Sequence, residues 1–210
     1  VYKRQVPLLV DRIAQRAPDI HLIIADGTTS SLTLRVLDGS LDLALIGLPH
    51  EDSELQTAPL FEEEHVVIAP SSHPLAQEVG PITLSQLADH ELLMAAPGTA
   101  FRREIDEAFS DQDLQPRAKL EVDGLRLLAS LAFQGFGVAI VPASAAPGWI
   151  GGDWTRIPVV GLGLRTVGYT HRRRGMLSLA ATATLRTAEE VVAEHAAATP
   201  GLSLPVPVTA

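Results

Sequence analysis

The chain has 210 residues, of which 46% are hydrophobic and 20% charged, a composition typical of a soluble globular protein with a substantial core. Its 16 Lys and Arg against 25 Asp and Glu give a net charge of −9, which disfavours direct binding to the phosphate backbone of DNA or RNA. The absence of cysteine excludes disulfides, thiolate metal sites and a cysteine nucleophile. It also fits a reducing compartment, so we expect a cytoplasmic protein.

The chain begins with a predicted helix that is followed by a strand–helix–strand unit. Apolar residues recur at helical spacing from Val6 to Ala17, and Pro18 ends that helix. The unit that follows contains an Asp-Gly turn and a helix that hydroxyl residues cap and Gly39 ends. Its two predicted strands are Ile20 to Ala25 and Leu41 to Ile46.

The same order of elements returns in the second half of the chain. Ala118 to Val122 predicts a strand, Asp123-Gly124 a turn, and Leu125 to Ala132 a helix that Gly135 closes. Val138 to Val141 follows as a buried strand. This correspondence predicts an architectural repeat, although short connections in unrelated strand–helix–strand units produce the same punctuation.

Further elements surround these two units. Strands are predicted at Glu64 to Ala69, Leu92 to Ala95, Arg156 to Val160 and Arg165 to Thr170, and helices at 101–109 and 178–195. Residues 143–153 predict a loop, and the chain from Ala196 onward a frayed tail. The longest uncharged stretch, Leu127 to Gly152, contains several Gly and Pro residues, so strands and loops explain it better than a membrane helix.

No enzyme motif is complete in the sequence. Gly135-Phe136-Gly137 and Gly161-Leu162-Gly163 begin like dinucleotide-binding loops, but both lack the third glycine and the strand-to-helix context. The seven histidines show no spacing that would place two on one helix face, and we interpret them as surface or turn residues. We therefore expect no catalytic residue, no cofactor and no metal site.

Two charged runs have plain structural explanations. Glu62-Glu63-Glu64 would point to alternating faces of a strand and cannot converge on one ligand, so we interpret the run as a solvated strand start. Arg172-Arg173-Arg174 is a weak nucleic-acid signal in a net-acidic chain, and we interpret it as a turn or a subunit contact.

Candidate ligand-binding residues lie in loops that follow the predicted strands. In open α/β sheets, ligands bind at the carboxyl ends of strands, where the N–H groups of following helices point outward. Hydroxyl groups at helix N-termini suit the carboxylate or phosphate oxygens of a small ligand, although plain helix capping requires the same residue types. These criteria select Thr28, Thr29, Ser30, Gly47 and Leu48 in the first half and Gly98, Thr99, Phe101, Asp123 and Pro142 in the second.

Several motifs follow one another in a fixed order between about residues 6 and 195. They are PLL at 7–9, LDGSLDLAL at 37–45, PLFEE at 59–63, SHPL at 72–75, LSQLAD at 84–89, GFGVAIVP at 135–142 and RR at 172–173. This succession resembles the effector-binding domain of LysR-type transcriptional regulators.

The resemblance implies a two-lobed α/β fold of the type II periplasmic-binding-protein class, in which each lobe is a mixed sheet flanked by helices. Lobe I would comprise 1–68 plus 168–195 and lobe II 69–167, with a flexible tail at 196–210. The family's helix-turn-helix, its linker helix and the first strand of lobe I match no part of the given sequence, so we expect its start to be a truncated one.

The function implied by the resemblance is that of a cytoplasmic bacterial regulator. A small-molecule effector, for which an anionic compound suits the hydroxyl-rich loops, would bind between the lobes. The protein would associate as a dimer or tetramer, contact DNA only through the missing helix-turn-helix and contact no membrane. The alternatives are a transporter's solute-binding protein, which needs export, and an enzyme on the same scaffold, which needs convergent acid/base residues.

Overall fold

The chain folds into six helices and ten strands within the residues that the computed structural model describes, which are 5–146, 148 and 151–205. Pro147, Trp149 and Ile150 of the predicted loop and residues 206–210 of the predicted tail lie outside the described residues. The helices are α1 Gln5–Arg16, α2 Thr29–Leu37, α3 Leu84–Ala88, α4 Ala100–Ser110, α5 Leu125–Phe133 and α6 Leu179–His195. The strands are β1 Leu43–Leu48, β2 Leu55–Glu63, β3 His65–Pro70, β4 Ile82–Thr83, β5 Glu91–Ala95, β6 Arg117–Val122, β7 Val138–Pro142, β8 Trp154–Val160, β9 Arg165–Arg172 and β10 Leu202–Ser203. Short 3-10 turns occupy Pro74–Gln77 and Ala143–Ala145.

The chain divides into two compact units. The middle unit spans Glu63–Arg165, and the terminal unit combines the described residues up to Glu62 with those from Thr166 onward. The chain therefore passes between the units twice, at 62/63 and at 165/166. These positions precede the expected boundaries at 68/69 and 167/168, and the assignment of the units as lobes II and I remains a prediction.

The middle unit contains a six-stranded sheet with the order β4-β8-β3-β7-β5-β6. Strand β5 runs parallel to β6 and β7, whereas β3 runs antiparallel to β7 and β8. The carboxyl ends of β5, β6 and β7 therefore lie at one edge of the sheet. The polypeptide leaves this edge into α4, α5 and the 3-10 turn at Ala143–Ala145.

Apolar spacing and glycine positions explain the helices of the middle unit. Phe101, Ile105 and Phe109 recur every four residues along α4 and are all buried, as the sequence predicted. Helix α5 begins after Gly124 and ends before Gly135, whose φ angles of +97° and +82° lie in the left-handed region that favours glycine. The second predicted unit is therefore confirmed element by element, with β5 inserted between its two strands.

The terminal unit contains a four-stranded sheet with the order β1-β9-β2-β10. Helix α2 packs against β1, and its Val36 is buried with Ala44, Ile46 and Leu55 in one apolar cluster. Helix α1 pairs with α6 through Arg12 and Glu194 and through Arg16 and Glu190. The predicted helices of this unit are thus confirmed.

The predicted strand at Ile20 to Ala25 is wrong, because residues 20–28 form neither helix nor strand. The side chains of Ile23 and Ile24 are 78% and 59% exposed, and no described strand pairs with this segment. Apolar residues bounded by turn signals predicted a strand, but a strand also needs a neighbour for its backbone hydrogen bonds. The repeat therefore lacks its first strand in the terminal unit.

Other differences concern β2 and the C-terminal segment. Strand β2 was not predicted, and β1 begins two residues later than expected. The prediction of a frayed tail is wrong for the part of the tail that the structure describes, since Leu202 is buried and β10 lies next to β2. No helix in the described ranges is long and apolar enough to cross a membrane.

The predicted turn at Arg172-Arg173-Arg174 is stabilised by contacts within the chain. Nη1 of Arg172 donates to the carbonyl of Val36, and the Arg173 guanidinium donates to the carbonyls of Ser53 and Leu55. Arg172 and Arg173 thus connect the end of β9 by hydrogen bonds to neighbouring segments of the terminal unit. Arg174 is exposed.

The interpretation of the Glu62–Glu64 run as a solvated strand start is wrong for Glu63. Its side chain is 0% exposed, and Oε1 accepts a hydrogen bond from Nη1 of Arg165 at 2.6 Å. Oε2 accepts a second bond from the backbone N–H of Ser144 at 3.1 Å. The side chains do alternate between the two faces, since Glu63 is buried and Glu64 is exposed. The buried face therefore carries the charge of Glu63, whose partner Arg165 is 102 residues away in the sequence.

Gly168→Ala should destabilise the protein by about 1–3 kcal/mol, because overpacking a filled core forces side chains and backbone to shift. A Cβ at Gly168 would lie 2.5 Å from the carbonyl oxygen of Ala58 and would overlap the side chain of Leu48. Urea unfolding followed by circular dichroism measures the loss. Gly151→Ala is the matched control, since a Cβ there meets nothing within 4 Å. Equal losses in both variants would contradict the steric argument.

Arg165→Met should destabilise the protein by about 3–5 kcal/mol, because it leaves the Glu63 carboxylate buried without a counter-charge. The same measurement on Arg12→Met, which breaks the more exposed pair with Glu194, should show little change. Adding Glu63→Gln to Arg165→Met removes the buried charge and should recover part of the loss. The buried-charge explanation fails if the double variant is less stable than Arg165→Met.

Candidate functional site

The hydroxyl-rich segment before α2 is organised by helix capping. The side chain of Thr28 accepts a hydrogen bond from the backbone N–H of Ser31 at 3.3 Å. The carbonyls of Thr29 and Ser30 accept hydrogen bonds from the hydroxyl of Thr33. The Thr28 hydroxyl donates to no group within the described ranges, so this side chain can cap α2 and still donate a proton to a ligand oxygen.

Gly47 and Leu48 lie in the sheet of the terminal unit, where Gly47 is buried and Leu48 half-buried. They pair with Val167 and Thr166 of β9, and the side chain of Leu48 packs against the apolar cluster around Val36. The structure thus places both residues in the sheet, not in an open loop. Any contribution of theirs to a ligand would come from the end of β1, and it remains a prediction.

In the middle unit, the predicted residues lie at the shared carboxyl edge of β5, β6 and β7. Gly98 has a φ of +83°, and the following Thr99 caps α4 by accepting from the backbone N–H of Arg102 at 3.2 Å. The Thr99 hydroxyl also donates to the carbonyl of Ala96 at 2.9 Å. The Thr99 hydroxyl therefore already donates a hydrogen bond within the protein, unlike the hydroxyl of Thr28.

The start of α5 offers backbone donors at the same edge. Asp123 is exposed, and the next residue, Gly124, caps α5 without a side-chain hydrogen bond. The first N–H groups of a helix have no partners within the helix, and they carry partial positive charge. This helix end can therefore receive an anionic group without displacing a capping side chain.

Arg102 extends the charged surface near α4. It forms ion pairs with Asp106, one turn further along the helix, and with Glu121 of β6. Burial lowers the pKa of Arg102, but hydrogen bonds to Glu121 and Asp106 more than offset it and leave the pKa raised. The guanidinium stays charged and is held by two carboxylates and the carbonyl of Ala95.

Phe101 and Pro142 are buried and lie against His65. The Phe101 side chain is 6% exposed, and its ring centroid lies 5.5 Å from that of His65. Pro142 is the strand partner of His65 between β7 and β3. The interpretation of the histidines as surface or turn residues is wrong for His65, which is 5% exposed.

His65 belongs to a polar group of side chains inside the middle unit, which we term the Glu63 cluster: Glu63, His65, Glu104, Ser144 and Arg165. Nδ1 of His65 lies 3.0 Å from the carbonyl of Gly163, and because a carbonyl only accepts, Nδ1 carries a proton. Nε2 of His65 lies 3.6 Å from Oε2 of Glu104, and Nε of Arg165 lies 3.9 Å from the same oxygen. These two separations exceed ordinary hydrogen-bond lengths.

The Glu63 cluster contains most of the unpartnered buried polar atoms of the described chain. Seven buried side-chain nitrogen and oxygen atoms have no hydrogen-bond partner within the described residues, and four of them belong to this cluster. They are Nε2 of His65, Oε2 of Glu104, Oγ of Ser144 and Nε of Arg165. Buried polar groups are nearly always satisfied, so their concentration in one place marks a candidate binding site.

The sequence does not indicate this cluster, because its members come from five separate elements. They lie at the end of β2, the start of β3, within α4, in the 3-10 turn after β7 and at the start of β9. No periodicity or local spacing links positions so far apart. The only local signals were polar residues at the edges of apolar runs, such as His65 before Val66-Val67-Ile68-Ala69. No metal-binding group of three His, Asp or Glu side chains is found in the described ranges.

The chain is similar to curated transcriptional regulators. It is 30% identical over 137 residues to the uncharacterized HTH-type regulator YybE of Bacillus subtilis, covering 65% of this chain and 47% of that protein. It is 29% identical over 137 residues to the HTH-type regulator CysB of Burkholderia cenocepacia, covering 65% of this chain and 44% of that protein. The match thus spans less than half the length of these relatives.

Solved structures share the fold. The effector-binding domain of QuiR in complex with shikimate superposes with a TM-score of 0.78 at 21% identity, covering 92% of this chain and 93% of that one. The regulatory domain of CcmR from Synechocystis PCC6803 in complex with 2-PG gives 0.77 at 21% identity, covering 89% and 90%. The model of the LysR substrate binding domain matches residues 1–193, nearly the whole chain. The chain therefore belongs to the LysR substrate-binding domain family.

Proposed function

We propose that this chain is the sensing part of a LysR-type transcriptional regulator and binds a small-molecule effector to control transcription. The observation that carries the proposal is the family match over residues 1–193. The domains of QuiR and CcmR, which share the fold, bind shikimate and 2-PG respectively. These complexes support a small molecule as the ligand class.

An anionic effector suits the chemistry of the loops. Thr28 offers a free hydroxyl proton, and α5 begins without a capping side chain. Both features stabilise negative charge at a helix N-terminus. The site residues proposed to contact the effector are Thr28, Thr29, Ser30, Gly47, Leu48, Gly98, Thr99, Phe101, Asp123 and Pro142. Phe101 is buried and Leu48 is half-buried, so both would act mainly through packing.

DNA binding would belong to a different part of the regulator. The net charge of −9 disfavours contact between this chain and the phosphate backbone of DNA. The relatives named HTH-type regulators are about twice as long as the segment that matches this chain. We propose that a helix-turn-helix outside this chain contacts DNA and that the regulator works in the cytoplasm as a dimer or tetramer. Effector binding would change transcription only to the extent that it favours one state of the assembly over another.

Two other functions fit the sequence less well. A transporter's solute-binding protein would share the fold, but the curated relatives are transcriptional regulators. An enzyme would need an acid and a base that converge on a substrate. The Glu63 cluster contains carboxylates and a histidine, but Glu63 is committed to Arg165 and Ser144, so we propose a binding role instead of catalysis.

The test uses this chain with a library of small carboxylates and phosphorylated metabolites, screened by thermal shift and quantified by calorimetry. We expect at least one compound to bind and to raise the melting temperature. Thr28→Asp keeps an N-cap oxygen but places a negative charge beside the ligand, so it should weaken anion binding by roughly tenfold or more and leave stability nearly unchanged.

Thr28→Asn is the matched control, because asparagine caps equally well and its amide can still donate. The proposal of a sensing domain is contradicted if no compound binds. The assignment of loop 28–30 is contradicted if Thr28→Asp binds the compound as tightly as Thr28→Asn.

A further inference from the structure

We propose that the Glu63 cluster is a carboxylate-binding site within the middle unit, in which Glu104 gives way to a carboxylate of the ligand. That carboxylate would be held by Nε of Arg165, Nε2 of His65 and Oγ of Ser144. All five members of the cluster lie between Glu63 and Arg165. The site therefore holds whether or not loop 28–30 contacts the same compound.

The unpartnered atoms of the cluster have the balance that an oxyanion requires. Nε of Arg165 and Oγ of Ser144 are donors, and Nε2 of His65 becomes a third donor when the ring is doubly protonated. Oε2 of Glu104 is the one atom of the four that can only accept, because it belongs to a carboxylate. A buried polar atom without a partner destabilises the folded state, so a ligand group that accepts from three such donors at once would be favoured.

Glu63 and Glu104 differ in how firmly they are held. Glu63 is fully buried and accepts two hydrogen bonds, from Arg165 and from the backbone of Ser144. The Glu104 side chain is 33% exposed, and its Oε2 approaches His65 and Arg165 without a hydrogen bond to either. Glu104 thus occupies the place of a ligand carboxylate but can turn toward water.

Charge balance favours a monoanion over other ligands. When the Glu104 carboxylate leaves and a ligand carboxylate enters, one negative charge replaces another beside Arg165 and His65. A cation would face the three donors, and a phosphate dianion would add negative charge close to the buried Glu63. A planar carboxylate also matches the planar guanidinium of Arg165, whose Nη1 binds Glu63 while its Nε has no hydrogen-bond partner in the described residues.

The test is an NMR titration of the chain, labelled at histidine, with sodium acetate at constant pH and ionic strength. The His65 ring signals are assigned by their loss in His65→Asn. We expect a saturable shift of these signals with acetate and a weaker response to inorganic phosphate. Glu104→Gln should tighten acetate binding roughly tenfold, since it removes the competing charge from a buried donor set. Ser144→Ala should weaken binding several-fold.

Glu107→Gln is the matched control, because Glu107 lies exposed on the same helix and its replacement changes the net charge equally. The inference is overturned if acetate produces no saturable shift at His65, if both glutamine variants tighten binding equally, or if phosphate binds more tightly than acetate. If a compound from the library binds the chain without shifting the His65 ring signals, this inference is overturned but the sensing function is not.

Discussion

A carboxylate that is removed from water needs a charged partner, and the pairing of Glu63 with Arg165 joins the two ends of the middle unit. These residues are the first and last of that unit, where the chain passes to and from the terminal unit. The same carboxylate holds the backbone of Ser144, just after β7. The Glu63 carboxylate therefore joins the first and last residues of the middle unit and holds the turn that follows β7. Burial makes the pair costly to break, although it is weak support for overall stability.

Local pattern predicted most elements because the helices and the buried strands each carry their own signal. The spacing of Phe101, Ile105 and Phe109 defined α4, and left-handed glycines bounded α5. The errors arose where structure depends on distant partners. Residues 20–25 had strand-like composition but gained no neighbouring strand, whereas Leu202 became buried through pairing of β10 with β2. Pairing across long sequence separations is invisible to periodicity.

The candidate site was predicted to a lesser degree. Thr28 and Thr99 were both recognised as helix-capping hydroxyls, and both cap helices. The sequence could not show that the Thr99 hydroxyl donates a hydrogen bond to the carbonyl of Ala96, whereas the Thr28 hydroxyl donates to no group in the described residues. Glu63 and His65 were assigned to the surface because charged side chains usually lie there. Their burial depends on Arg165 and Gly163, about one hundred residues later in the chain.

The partly exposed side chain of Glu104 affects the concentration range in which a carboxylate ligand could act. The Glu104 carboxylate competes with the ligand for the same donors. Because it is attached to α4, it is present at a high effective concentration and never diffuses away. A ligand must outcompete this tethered rival, so half-saturation moves to higher ligand concentration than the donor set alone would give. Residue 104 would then set a threshold concentration for the ligand, and exchanging it would change the sensitivity without changing the donor atoms.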